Sequence, residues 1–260
     1  MNSPGSFDDE MALAKWHELA PLIDRMMERV GTPGEFLVHP GSSLSGDDRA
    51  SDPYQVSHVV HMCLTAAVDH LHAAKVLVVD SSQVNLAAPA TLARGALETL
   101  AAAYWVLGPK ERDERVARAL RWHVKNMWDS NTALKPRGLT RRPLDEMLKR
   151  VLAVADRRGL EGKPISGGYT STDAVKYADE QLTDLTLGVL FPWRIASGLA
   201  HGRPWAYLGF SELELHDASA PNVVSVRLTS SLARALYPNL AAFHLMENLL
   251  QLFQQRSAGM

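Results

Sequence analysis

Apolar residues return at three- and four-residue intervals along most of this chain, the period of one face of an α-helix. Over residues 8–30 the positions Trp16, Leu19, Ile23, Met26 and Met27 keep that spacing until Gly31, Thr32, Pro33 and Gly34 stop it, which predicts a first helix. The polar run 40–48, rich in glycine and serine, predicts a mobile loop. Asp52 and Pro53 are expected to cap and open a long helix reaching about residue 79, since proline is tolerated in a first turn. Pro89 opens a helix that runs through Arg94 and Glu98 to Leu107, where Gly108 and Pro109 end it. Further helices are expected over 111–131 and 144–158, the second closed by Gly159, with a basic connector at 136–143. Residues 162–168 read as a loop, and no Ser or Thr follows Lys163 as a Walker phosphate loop requires. Helix resumes near Thr172, and another helix follows Phe191 and Pro192.

Beyond Pro204 the pattern changes. Residues 207–215 and 223–228 have strand-like composition on either side of Ser219, Ala220, Pro221 and Asn222, which predicts one β-hairpin. A last helix over 230–255 is expected to kink at Pro238. With seven or eight helices, one hairpin within 206–228 and no internal repeat, the expected fold class is all-α, an antiparallel helical bundle. The expected organisation is a single domain, with an N-terminal helix and flexible loop over 1–50 and the bundle over 51–260.

The composition of the 260 residues, 46% hydrophobic and 22% charged, is that of an ordinary globular protein and excludes a largely disordered one. A net charge of −2 argues against coating nucleic acid by bulk charge and leaves room for a local basic patch. Cys63 is the only cysteine and sits in an apolar run, so a buried thiol in a reducing, cytoplasmic compartment is expected. The first six residues lack the basic start and apolar core of a signal peptide. The apolar window 86–107 is broken by Pro89, Arg94 and Glu98, so it reads as helical core, and no membrane association is expected.

Three constellations carry candidate chemistry. At about 100° per residue, Arg194, Ser197 and His201 fall within about 60° of one another on a helix. A guanidinium fork suits phosphate oxygens and an imidazole exchanges protons near neutral pH, so this face fits phosphate chemistry. The competing reading is packing, because Ser197, Gly198, Ala200 and Gly202 are small enough to admit a neighbouring helix. The second constellation places His58, His61, Thr65, Asp69 and His72 on one helical face, opposite Val60, Cys63, Leu64, Ala67 and Leu71. His58 and His72 lie about 21 Å apart at 1.5 Å per residue, too far to share an ion. Glu98 and His123 are the nearest further ligands by type, and a polar face without metal or cofactor is expected. Third, residues 135–163 hold nine basic against four acidic side chains. Arg137, Arg141, Arg142 and Lys149 are the candidate nucleic-acid contacts there, with Arg118, Arg121 and Lys125 as a basic row on the preceding helix.

Two passages resemble the HEPN superfamily, within it an uncharacterised bacterial group: Leu92-Ala93-Arg94-Gly95-Ala96-Leu97-Glu98 leading to Tyr104 and Trp105, and Ser197-Gly198-Leu199-Ala200-His201-Gly202. The likeness covers about residues 55–205. It implies a helical bundle, frequent homodimerisation and, in active members, metal-independent ribonuclease activity in toxin or phage-defence systems, with an antitoxin-like protein as a candidate partner. There an arginine precedes a histidine by four to six intervening residues, which maps onto Arg194 and His201 as the catalytic pair with RNA as substrate. Ile195 stands where active members carry a polar residue, and Arg94 and Glu98 are expected either to pair on the helix surface or to brace the site. The superfamily also holds inactive members, so a non-catalytic interaction or regulatory protein is the alternative expectation.

Overall fold

Helices account for most of this computed structural model, which describes residues 8–139, 142–217, 220 and 222–259. Among the described residues there are eleven α-helices: α1 (Asp9–Gly31), α2 (Ser43–Ser51), α3 (Val56–Lys75), α4 (Ala88–Leu107), α5 (Arg112–Leu134), α6 (Leu144–Arg157), α7 (Gly162–Ser166), α8 (Ser171–Gln181), α9 (Leu190–Ala200), α10 (Pro204–Phe210) and α11 (Leu232–Ser257). A π-helical turn, Val76–Asp80, extends α3, and a 3-10 turn, Lys135–Arg137, ends α5. The β-structure among the described residues is one antiparallel hairpin of β1 (Glu212–His216) and β2 (Ser225–Thr229), with Leu213 opposite Leu228 and Leu215 opposite Val226. The mostly helical class read from the periodicity is the observed one. Part of the predicted turn between the strands, Ser219 and Pro221, lies outside the described residues.

Four local expectations are corrected. The expected loop at 40–48 contains α2, whose first turn is capped by the Ser42 hydroxyl accepting from the Ser45 amide at 3.1 Å. Serine, glycine and aspartate are weak helix formers, so burial of Leu44 and Asp47 has overridden propensity there. Asp52 does not open α3. The Asp52-Pro53 bond is cis, α3 starts at Val56, and the Asp48 carboxylate, reaching over from α2, accepts from the Ser57 amide at 2.9 Å. The expected loop at 162–168 includes the short α7, anchored by buried Ile165. The residues of the first expected strand up to Phe210 are helical instead, because Pro204 stands in the first turn of α10 and Ala206 is buried.

The chain divides into two compact units, the first comprising Met1–Glu35, Leu64–Leu100 and Asp179–Glu247 and the second Phe36–Cys63, Ala101–Ala178 and Asn248–Met260. In the first unit α1 buries Trp16, Leu19 and Ile23, the apolar stripe of the sequence. Lys75 is buried and compensated twice, by Asp24 at 2.8 Å and Asp80 at 3.0 Å. The Asn239 side-chain amide donates to the carbonyls of Ala235, at 2.8 Å, and Pro89, at 3.2 Å, tying α11 to the start of α4.

In the second unit, Val116, Leu120 and Val124 recur every fourth residue on α5 and pack against Val151, Val154 and Ala155 of α6 and Ile165 of α7. Beside this core lies a charge cluster sealed from water. Asp47 is 0% exposed and Arg115 2%, and the two form a forked pair at 2.6 and 2.8 Å. The remaining donors of Arg115 meet the carbonyls of Pro109 and Lys110 and the Ser43 hydroxyl. Arg112 adds a contact to Asp47 at 3.1 Å. At the far end of α4, Trp105 stacks on Tyr169, and Arg118 lies 4.2 Å from the centre of the Tyr177 ring and 5.1 Å from that of Trp105.

Three histidines are held neutral by burial. His61 lies between the Phe36 and Phe253 rings, and desolvation followed by the nearby His58 lowers its pKa. His123, against Tyr54 and Trp122, is lowered to about 4 by the same two causes, and desolvation lowers His244 in the first unit.

Two outcomes are expected. Asp47→Asn leaves the Arg115 charge buried without its counter-ion and should destabilise the protein by about 3–5 kcal/mol in urea denaturation, whereas Arg112→Ala, at a half-exposed partner, should cost about 1 kcal/mol or less. His123 titrates near 4 when folded and near 6.5 when unfolded, so the unfolded chain binds the proton first as pH falls. Stability should therefore decline from about pH 6.5 toward pH 4, and His123→Phe should flatten part of that decline in a series of urea midpoints.

Candidate functional site

The expected stacking on α9 is realised. Arg194, Ser197 and His201 line one open groove of about 340 Å³ in the first unit, together with Trp193, Gly198, Arg203 and Trp205. Arg194 and His201 are exposed and Ser197 is half-buried. The helix is fixed at both ends. At its start, the Asp179 carboxylate accepts from the amides of Val189 and Leu190 at 2.7 and 2.9 Å, which satisfies donors that a helix N-terminus otherwise leaves open. At its end, Gly202 adopts φ +63°, and the Arg203 amide returns to the Gly198 carbonyl at 2.9 Å. That reversal brings Arg203 and Trp205 back onto the groove.

The packing reading of the small residues also holds, at the border of the groove itself. A Cβ at Gly198 would meet the Ala206 Cβ and the Trp205 ring at 2.6 Å, so glycine is required for α10 to approach. Ile195, Ala196 and Leu199 face a core cluster with Ala90 and Ala206. Ile195 thus points inward and supplies no polar group beside Arg194.

Arg94 and Glu98 pair on α4 at 2.9 Å, and the same Glu98 oxygen accepts from the Trp193 indole at 3.0 Å. The bracing role is therefore indirect: Glu98 holds Trp193, the neighbour of Arg194, and neither Arg94 nor Glu98 lines the groove. Among the described residues no carboxylate pairs with Arg194 or Arg203, so both charges face the open site. The sequence reading missed Trp193, Arg203 and Trp205. The signal for the last two was Gly202 before Pro204, a helix stop followed by a helix start that folds the chain back.

The other predicted residues lie elsewhere. Arg137, Arg142 and Lys149 are exposed in the second unit, and Arg141 lies outside the described residues. Arg118 and Arg121 are engaged by aromatic rings and carbonyl oxygens, and Lys125 by Asp129. On α3 the stripe divides as expected, with His58, Thr65 and Asp69 exposed, His61 and His72 half-buried, and the opposite apolar positions buried. Glu98 is taken by Arg94 and Trp193, and His123 by ring contacts; among the described residues no three His, Cys, Asp or Glu side chains are grouped to hold a metal ion. Burial pushes the Cys63 thiol up to about 12. The segment Val56–Asp80 is long and apolar enough to cross a membrane by length and composition alone.

Comparison of the chain with protein families finds no match, and none is found among curated proteins or solved structures.

The geometry of Gly198 gives a direct test. Gly198→Ala should force α10 away from α9, lower stability by about 1–3 kcal/mol and change the tryptophan emission spectrum as Trp205 shifts.

Proposed function

We propose that the α9 groove is the active site of an endoribonuclease that needs no metal ion. The observation that carries this reading is the convergence of an imidazole, a hydroxyl, two guanidinium groups that no carboxylate among the described residues pairs with, and two indoles on one open groove. The arginines Arg194 and Arg203 suit phosphate oxygens, and the rings of Trp193 and Trp205 suit the faces of unpaired bases. His201 takes the proton of a ribose 2′-hydroxyl. The 2′-oxygen bonds to phosphorus, the bond from phosphorus to the 5′-oxygen breaks, and that oxygen takes a proton from water. The products are a 2′,3′-cyclic phosphate and a 5′-hydroxyl end. Arg194 and Arg203 offset the charge gathering on the non-bridging oxygens, and Ser197 donates a hydrogen bond there. The likeness to the HEPN superfamily, the source of the ribonuclease expectation, supports the same assignment, and a cytoplasmic location suits an RNA substrate.

A second reading rests on the apolar side chains beside the groove. Phe191 is 54% exposed, Trp205 52% and Leu208 51%. Large apolar groups left exposed suit a contact surface, here for a second copy of the chain or an antitoxin-like protein, with or without chemistry.

Incubation with diverse RNAs in excess chelator distinguishes the two. Cleavage should persist and leave 2′,3′-cyclic phosphate ends. His201→Ala should lower the rate by about 10²- to 10⁴-fold, and Arg194→Lys should also be impaired because lysine loses the planar two-pronged contact. Folded protein that cleaves none of them, with both variants indistinguishable from wild type, leaves the contact-surface reading.

A further inference from the structure

We propose that the second unit carries a binding pocket for a nucleoside phosphate, formed between the end of α5 and the start of α6. The pocket has a volume of about 490 Å³, and its lining includes Trp128, Asn131, Lys135, Arg142 and Asp145. That size suits a small ring-bearing molecule.

The lining divides by chemistry. Trp128, Asn131 and Lys135 stand three and four residues apart and share one face along α5 and its 3-10 extension. Trp128 is 45% exposed, while the α5 core stripe of Val116, Leu120 and Val124 is sealed. An indole left out of the core offers a flat surface for stacking a base, and such stacking tolerates any base because each has a π-face. Lys135 and Arg142 bring two positive charges to the same pocket from different elements. Some basic side chains of this unit are committed to acids, Lys125 to Asp129 and Arg158 to Asp113 among them. Among the described residues no ion pair engages Lys135 or Arg142, so their charge is open to a phosphate.

Asp145 narrows the ligand class. A carboxylate in the lining repels a bare anion, yet it accepts hydrogen bonds from ribose hydroxyls or an exocyclic amine, as the Asn131 carbonyl also does. The set therefore favours a base and sugar carrying a phosphate over inorganic phosphate: base on Trp128, phosphate on Lys135 and Arg142, polar edges on Asn131 and Asp145. A free nucleotide and a nucleotide within an RNA strand share this chemistry. The site uses none of the residues of the α9 groove and stands independently of the ribonuclease reading.

Isothermal titration of the full-length protein with AMP, inorganic phosphate and an eight-nucleotide RNA tests it, using His201→Ala protein for the RNA arm to prevent turnover. AMP should bind about tenfold or more tightly than phosphate, the gain expected from stacking one base. Trp128→Ala, and the double change Lys135→Ala with Arg142→Ala, should each weaken AMP about tenfold or more, while His201→Ala binds AMP as wild type does. These side chains are at the surface, so circular dichroism and the thermal midpoint should match wild type. RNA that displaces AMP and binds more tightly assigns the pocket to a nucleic-acid strand, and RNA that binds no more tightly assigns it to a free nucleotide. No heat with AMP or RNA at millimolar concentration overturns the proposal. So does binding that both pocket variants retain, or binding lost in His201→Ala and kept in Trp128→Ala, which moves the nucleotide to the α9 groove.

Discussion

A carboxylate withdrawn completely from water must be met by enough donors to replace its hydration, and Asp47 imposes that condition on the second unit. Arg115 answers with two bonds to Asp47 and spends its other donors on the Pro109 and Lys110 carbonyls and the Ser43 hydroxyl. One side chain thereby fixes α2, the start of α5 and the turn between α4 and α5. The same turn is gripped a second time, as Arg256 of α11 donates to the Gly108 and Pro109 carbonyls. A buried pair adds little net stability, but breaking one half of it is costly, so its effect here is to make one arrangement of these segments far better than the alternatives. It also explains why a segment of serine, glycine and aspartate is helical at all.

Glu98 acts in a comparable way within the first unit. Its single oxygen Oε1 receives both the Arg94 guanidinium and the Trp193 indole, so α4 sets the orientation of the first turn of α9. The helix then turns one side to the core and the other to the groove and α10 together. Ile195, Ala196 and Leu199 enter the core; Gly198 admits α10; Arg194, Ser197 and His201 are left to the groove. Catalytic and packing readings of this stretch are therefore complementary. A helix surface has room for both at a period of 3.6 residues.

In the second unit, neighbouring arginines illustrate how pairing decides what a basic residue does. Arg118 and Arg121 lie over Trp105, with Arg118 also over Tyr177, and donate to the Trp105 and Gly168 carbonyls, so their charge knits the end of α4 to α5 and to the segment before α8. Arg142, by contrast, opens onto a pocket beside an exposed indole. Both arrangements combine guanidinium with aromatic rings. What separates them is that the first pair of guanidinium groups is already engaged by rings and carbonyl oxygens, whereas the second lines a pocket of about 490 Å³.

The sequence by itself determined the helices with strong apolar periodicity, α1, α4, α5, α6 and α11, because a stripe recurring every three or four residues has only one way to be buried. It also determined that Arg194, Ser197 and His201 share a face, since local helical geometry alone places them. It did not reveal α2 or α10, whose composition favours coil or strand: α2 is held by Arg115, distant in the chain, and α10 by burial of Ala206 against the nearby Gly198. Nor did it reveal that Glu98 holds Trp193, that Arg203 and Trp205 return to the groove, or which basic side chains are already paired. Those are facts about which side chains meet in space, at sequence separations from a few residues to 95. Periodicity records the direction in which a residue points, and only the tertiary structure decides what it finds there.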